Sequence, residues 1–194
     1  ISLGLVGSEM CIRDRLTIAD GKRGDIGNTA EKYAQSIFDH FGFDAATVNP
    51  YMGEDAIVPF IKRPDKGAFI LCKTSNPSSG DFQNSQNGQK HVFEMVARKS
   101  MELNSAKNVG LVVGATIPEE IKTVRRIAPE LPFLIPGVGA QGGDLEKSTQ
   151  YGNENGLALI SISRGIIFSG DKTEKAIRST AKDYKDKMMD LVHG

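Results

Sequence analysis

The chain runs to 194 residues, within the roughly 100–200 that one domain takes, and its 24 Lys and Arg against 24 Asp and Glu leave no net charge. A neutral chain lacks the cation surplus that duplex nucleic acid or an anionic membrane face requires, so neither is an expected partner. With 39% hydrophobic residues, no apolar run near the ~20 of a spanning helix, and Cys11 and Cys72 in no metal-ligand spacing, a membrane segment, a disulfide scaffold and a zinc site are excluded, and the expected compartment is a reducing cytoplasm.

Residues 1–15, ISLGLVGSEMCIRDR, have no initiator Met, no basic start and no small-residue cleavage site, so they are not a signal peptide. They resemble a string found at the ends of translated metagenomic fragments, where adapter bases are read as protein. A non-native leader over 1–15 and a folded domain over 16–194 are therefore expected, a native irregular arm being the alternative. After the leader, short β-branched and apolar runs alternate with amphipathic stretches of helical period. In chain order they are a strand over 16–20, a helix over 29–41, a strand over 45–49, a short helix near 55–61, a strand over 68–73 and a helix over 85–103. Then come a strand over 109–114, a helix over 118–128, a strand over 133–136, a helix over 145–155, a strand over 158–163 and a closing helix over 172–192. Strict alternation predicts a parallel α/β fold, with polar and glycine-rich loops gathered on one rim, as in a (β/α)8 barrel or a doubly wound sheet. Six strand–helix units are two short of a closed barrel, which takes typically about 250 residues. The first strand already carries the richest polar motif, so any missing units are expected upstream of Leu16.

Four clusters carry candidate chemistry. Asp20-Gly21-Lys22-Arg23-Gly24-Asp25 ends the first strand. Residues two apart on a strand share a face, so Asp20 and Lys22 are expected together at the mouth, with Asp25 in the loop beyond. Two carboxylates flanking an ammonium keep it aimed, as a general acid or cationic clamp requires; the plain alternative is a solvated charge cluster in a turn. Thr74-Ser75-Asn76-Pro77 follows the third strand and can hydrogen-bond a planar heterocycle, although a helix cap or turn uses the same residues. Pro136-Gly137-Val138-Gly139-Ala140-Gln141-Gly142-Gly143-Asp144 has free backbone N–H groups that can close over a phosphate, with Gln141 able to reach across; the alternative is a flexible hinge. Ser161-Ile162-Ser163-Arg164-Gly165 lies where barrels commonly bind phosphate, which arginine grips bidentately, unless Arg164 is an ordinary surface residue. His40, His91 and His193 fall on predicted helices in no shared motif, and Cys72 is expected in the core.

Taken together, Asp20-x-Lys22-x-x-Asp25-Ile26-Gly27-Asn28-Thr29, Thr74-Ser75-Asn76, Val113-Gly114-Ala115-Thr116, the glycine loop from Pro136 to Gly143 and Ser163-Arg164 resemble the orotidine 5′-phosphate decarboxylase family. The run Thr47-Val48-Asn49-Pro50-Tyr51 with the Thr-Ser-Asn loop resembles its longer bacterial subfamily. The resemblance extends from about Leu16 to the C terminus, in order. It implies a cofactor-free, metal-free (β/α)8 barrel that converts orotidine monophosphate to UMP and carbon dioxide, the last step of pyrimidine synthesis. Lys22 would then protonate C6 as the carboxylate leaves, with Asp20 ordering the charged array near that carboxylate. Asp25, Ile26 and Thr29 would reach into a neighbouring copy, making the active form a homodimer. Ser75 would contact the pyrimidine, Pro136 would line the substrate, and Gln141 and Arg164 would bind its phosphate, Gln141 on a closing loop. The family's first two units carry an aspartate that contacts the ribose and a lysine completing an alternating Lys-Asp-Lys-Asp array. Residues 1–15 match neither, so the chain is expected to be N-terminally truncated, its barrel incomplete with about six of eight units.

Three rivals stay open. A related phosphate-sugar barrel decarboxylase or synthase shares the Asp-x-Lys-x-x-Asp strand end but employs Mg2+. A Schiff-base aldolase would use Lys22 or Lys73. The chain could also be a non-catalytic nucleotide-binding fragment.

Overall fold

The structure, a computed structural model, describes residues 15–139 and 141–193. The expected leader apart from Arg15, Cys11 within it, and Ala140 of the glycine loop lie outside the described residues. From the N-terminal side the elements are β1 (Ile18–Arg23), α1 (Gly27–Ala34) continued by a π-type turn (Gln35–His40), β2 (Ala45–Val48), and α2 (Val58–Ile61) after a 3-10 turn (Glu54–Ala56). They continue with β3 (Gly67–Lys73), a 3-10 turn (Pro77–Ser79), α3 (Gly80–Gln83), a hairpin of β4 (Gln86–Asn87) and β5 (Lys90–His91), and α4 (Val92–Leu103). The last are β6 (Val109–Val113), α5 (Pro118–Ile127), β7 (Phe133–Pro136), α6 (Leu145–Asn153), β8 (Ala158–Ser161), α7 (Arg164–Ile167) and α8 (Glu174–His193).

Among the described residues, six strands share one sheet in the order β1-β2-β3-β6-β7-β8. The pairs β1–β2, β2–β3, β6–β7 and β7–β8 are parallel. This is the alternation of a (β/α)8 barrel with six of its eight strands present, as the unit count from sequence predicts. Strands β2 and β6 are buried at every residue, which suits apolar parallel strands covered on both faces, while β1 exposes its last four residues and β8 alternates half-buried with exposed.

The chain forms two compact units. One comprises the chain up to Leu71 together with Asn104–Val109. Its core joins Ala30, Ala34 and Phe38 to Ala46 and Val48 of β2, Phe60 of α2, and Ala68 and Ile70 of β3, all buried. Phe38 and Phe60 meet edge to face with centroids 6.1 Å apart. The Asp44 carboxylate accepts the Thr17 N–H at 2.8 Å and its hydroxyl at 2.9 Å, tying the entry of β1 to that of β2. Those two bonds to the ionised form pull the carboxyl below its ordinary 3.8.

The other unit comprises Cys72–Leu103 and the chain from Gly110 onward. Leu111, Val113, Ile121, Val124, Leu131, Phe133 and Ile135 are fully buried in it. Helix α5 opens on Pro118 with Glu119 and Glu120 in its first turn and Arg125 and Arg126 in its last, in line with the helix dipole. Arg125 is buried: its guanidinium lies 3.6 Å from the Phe133 ring centroid and donates to the carbonyls of Ala128, Pro129, Leu131, Gly152 and Leu157. Burial pushes its pKa down to about 10, which still leaves it charged at neutral pH. Cys72 packs in the core as expected, its thiol donating to the Phe93 carbonyl at 3.2 Å and its pKa pushed up by burial.

Several sequence-based boundaries are corrected. The helix expected from residue 85 starts at Val92, because residues 86–91 form the β4–β5 hairpin around Gly88, whose φ of +65° is cheap only without a Cβ. His91 therefore lies on a strand, with Nδ1 2.7 Å from the Asn84 carbonyl. Strand β1 runs on to Arg23 rather than ending at residue 20, and β8 stops at Ser161 so that Arg164 begins a helix of its own.

Candidate functional site

In the first unit the charged motif sits on an irregular strand end. Ile18 and Ala19 pair with Ala45 and Ala46, yet the next partner pair is Arg23 with Val48, so Asp20, Gly21 and Lys22 stand opposite the single residue Thr47. Such a bulge re-aims side chains. Lys22 takes up the surplus with φ +47°, a left-handed conformation that costs a non-glycine residue about 1–3 kcal/mol. Its ammonium donates to Asp20 Oδ1 at 2.6 Å. Asp20 and Lys22 thus come together as the sequence predicts, through a bulge rather than through regular two-residue alternation. Both side chains are more than half exposed, and an exposed ion pair contributes only about 0–1 kcal/mol, so the strain at Lys22 is not offset by stability from the pair.

The Thr47 hydroxyl accepts the Lys22 backbone N–H at 2.9 Å and donates to Asp20 Oδ1 at 3.0 Å. Asn49 N–H donates to the Arg23 carbonyl at 2.7 Å, which closes the bulge on its far side. Asp25, half-buried, turns its carboxylate to the Ile26 N–H at 2.8 Å at the start of α1. Ile26 and Thr29 are exposed there.

In the second unit, the Ser75 hydroxyl donates to Gln141 Oε1 at 2.6 Å across 66 positions of sequence. The loop carrying Ser75 is pinned from both sides. The Thr74 N–H donates to Gln83 Oε1 at 2.9 Å, and Gln83 Nε2 donates back to the Thr74 hydroxyl at 2.8 Å. Beneath it Lys73, fully buried, donates to Ser79 Oγ at 2.8 Å and pairs with Glu120 at 3.3 Å. The glycine loop folds back on itself through Gly143 N–H to the Gly137 carbonyl at 3.0 Å and Gly142 N–H to the Gly139 carbonyl at 2.8 Å. Asp144 then caps α6 by accepting the Lys147 N–H at 3.1 Å. Pro136 ends β7 with its carbonyl accepting the Ala115 N–H at 2.9 Å, and Arg164 is exposed at the first position of α7.

Sequence reasoning assigned no role to Thr47, Gln83 or Lys73's partners. Thr47 had a signal, being the lone hydroxyl in the buried run Ala45–Val48. Gln83 and Glu120 had none, because their partners are fixed only by folding. Among the described residues no cluster of three or more His, Cys, Asp or Glu side chains is placed to hold a metal ion, and no helix is long and apolar enough to cross a membrane.

The family model described as orotidine 5′-phosphate decarboxylase / HUMPS family matches residues 8–178. The chain belongs to that family. It is 51% identical over 179 residues to the orotidine 5′-phosphate decarboxylase of Dehalococcoides mccartyi, with 88% of this chain and 66% of that one covered. Its identity to the decarboxylase of Natronomonas pharaonis is 49%, again over 88% and 66%. The solved structure of Leishmania donovani OMP decarboxylase superposes with a TM-score of 0.82 at 41% identity, covering 90% of this chain and 67% of that one. The chain thus spans about two thirds of the length of the curated family members it matches.

Proposed function

We propose that the whole protein is a cofactor-free lyase that decarboxylates orotidine monophosphate to UMP and carbon dioxide, the closing step of pyrimidine synthesis in the cytoplasm. The observation that carries this reading is the Lys22 ammonium 2.6 Å from Asp20 Oδ1 on a strained strand end, in a chain of this family. In the proposed reaction the bond from C6 to the carboxylate breaks, carbon dioxide departs, and the electron pair stays on C6. A Lys22 Nζ proton passes to C6, and solvent returns a proton to Nζ. A fixed ammonium stabilises charge that develops only as the bond breaks, which is why it accelerates the step rather than merely binding substrate. Asp20 holds the ammonium at that place. Ser75 takes the pyrimidine, Pro136 lines it, and Gln141 and Arg164 take the phosphate, whose binding energy drives loop closure far from the reacting carbon. Asp25, Ile26 and Thr29, on or beside the exposed start of α1, serve the site of a second copy in a homodimer. Residues 16–194 form the catalytic domain in this reading, and 1–15 are a leader.

The test follows loss of orotidine monophosphate absorbance, with and without a chelator, for this chain and for a version extended by the N-terminal third of the Dehalococcoides mccartyi relative. Chelator-insensitive turnover lost in Lys22→Ala is expected, and a mixture of Lys22→Ala with Asp25→Ala should regain activity through composite sites. Turnover in neither version, or turnover that survives Lys22→Ala, refutes the proposal; a chelator-sensitive rate favours the metal-dependent members of the family.

A further inference from the structure

We propose that Thr47 is a positioning residue for Lys22, setting its backbone and its ammonium through one hydroxyl; this deepens the reading of Lys22 as proton donor and rests on it. Thr47 lies between Ala46 and Val48 on β2 and is fully buried. A buried hydroxyl in an apolar strand is destabilising unless both its donor and acceptor capacities are used. Here both are used on the same motif. The oxygen accepts the Lys22 N–H at 2.9 Å, a donor that the bulge has displaced from the regular strand ladder. Having accepted there, the hydroxyl has one proton to give, and it goes to Asp20 Oδ1 at 3.0 Å. That same carboxylate oxygen receives the Lys22 ammonium at 2.6 Å.

The result is a closed circuit in which the main chain of Lys22 and the tip of its side chain are tied to the same oxygen of Asp20, with Thr47 as the link. Because Lys22 is exposed and holds φ +47°, its side chain and backbone would otherwise be free to relax. Valine has nearly the shape of threonine and neither hydrogen-bonding capacity, so the substitution removes the circuit and leaves the packing.

The experiment compares Thr47→Val and Thr47→Ser with the unaltered chain, in the same version used for turnover, by steady-state kinetics and by residue-resolved exchange of the Lys22 amide proton. Thr47→Val is expected to lose roughly 10- to 100-fold in kcat, since displacing a reacting group by up to 1 Å costs on that scale, with KM changed less than about twofold. Lys22 amide exchange should accelerate at least about tenfold, the equivalent of one lost bond of roughly 1.4 kcal/mol. Thr47→Ser should recover most of both. Should Thr47→Val fail to fold, Thr47→Ala carries the same comparison against Thr47→Ser. Unchanged kcat and exchange in the valine variant, a loss confined to KM, or a serine variant that behaves like valine overturns the proposal. If the unaltered chain has no turnover, the decarboxylase reading fails while the exchange measurement still decides whether Thr47 holds Lys22.

Discussion

The chain comes close to the backbone of Ser75 at Gly114, and Gly114→Ala tests whether that approach is what places Ser75. The Gly114 N–H donates to the Lys73 carbonyl at 2.8 Å, so the chain after β6 runs directly beside the chain after β3. A Cβ at Gly114 would stand 2.7 Å from Ser75 N and 2.8 Å from Ser75 Cα and Cβ. Carbon contacts are optimal near 3.5–4.0 Å, so Ser75 would have to retreat by about 0.7 Å or more, and backbone atoms cannot rotate out of the way. A retreat of that size stretches the 2.6 Å bond from Ser75 to Gln141 by as much as about 0.7 Å, enough to leave the 2.5–3.0 Å range of a good O–H···O bond. Overpacking of this kind costs about 1–3 kcal/mol. For a chain of this size that is a fall of about 2–12 °C in Tm. Gly80→Ala is the control, since an added Cβ there meets Asn84 Nδ2 at 3.5 Å and its φ is −67°; it should be neutral or gain about 0.4–1 kcal/mol. Thermal melts with and without UMP read both effects: Gly114→Ala should melt lower and, under the proposed function, lose most of the upward shift expected from UMP in the unaltered chain. A Gly114→Ala chain that melts with the unaltered one and responds equally to UMP would refute the reasoning.

Arg125→Met should cost at least about 1–3 kcal/mol, because it strips the donor from the buried carbonyls of Ala128, Leu131 and Gly152. Urea melts at pH 7 check this, and a loss under about 1 kcal/mol would show those carbonyls find other partners. Asp44 carries a pH dependence of definite sign: its folded pKa is lowered by the Thr17 bonds, so its contribution is present above the ordinary 3.8 and is lost as pH falls through the folded value. Melts of Asp44→Asn should therefore lie below those of the unaltered chain at pH 6, with the gap narrowing as pH falls below the ordinary 3.8; a gap that widens on acidification contradicts the assignment.

Much of the architecture is a local property of the chain. Strands β2, β3, β6 and β7 fall within a residue of where the apolar runs place them, because a parallel strand covered on both faces is apolar at most of its positions, and such a run is visible without its neighbours. Helices α5 and α6 likewise follow their period, with Pro118 and Asp144 as visible start signals. The β4–β5 hairpin is not legible from period, although Asn87-Gly88 is a turn signal, since the polar residues around it also fit the leading turn of an amphipathic helix. The resemblance of ordered motifs likewise named the family that the comparisons establish.

Interactions between distant segments were decided only by folding. That Asp20 meets Lys22 was legible from their spacing, but the bulge that brings them together depends on pairing β1 against β2, and the hydroxyl that organises it lies 25 residues beyond Lys22. Gln141 reaches Ser75 over 66 positions, and Arg125 gathers carbonyls from the loop before β7, from α6 and from the residue before β8. Residue type and period determine which segments become strands and helices because those preferences act over a few neighbouring residues. Which buried donor finds which acceptor is set by the register between segments, and register exists only once the strands have paired.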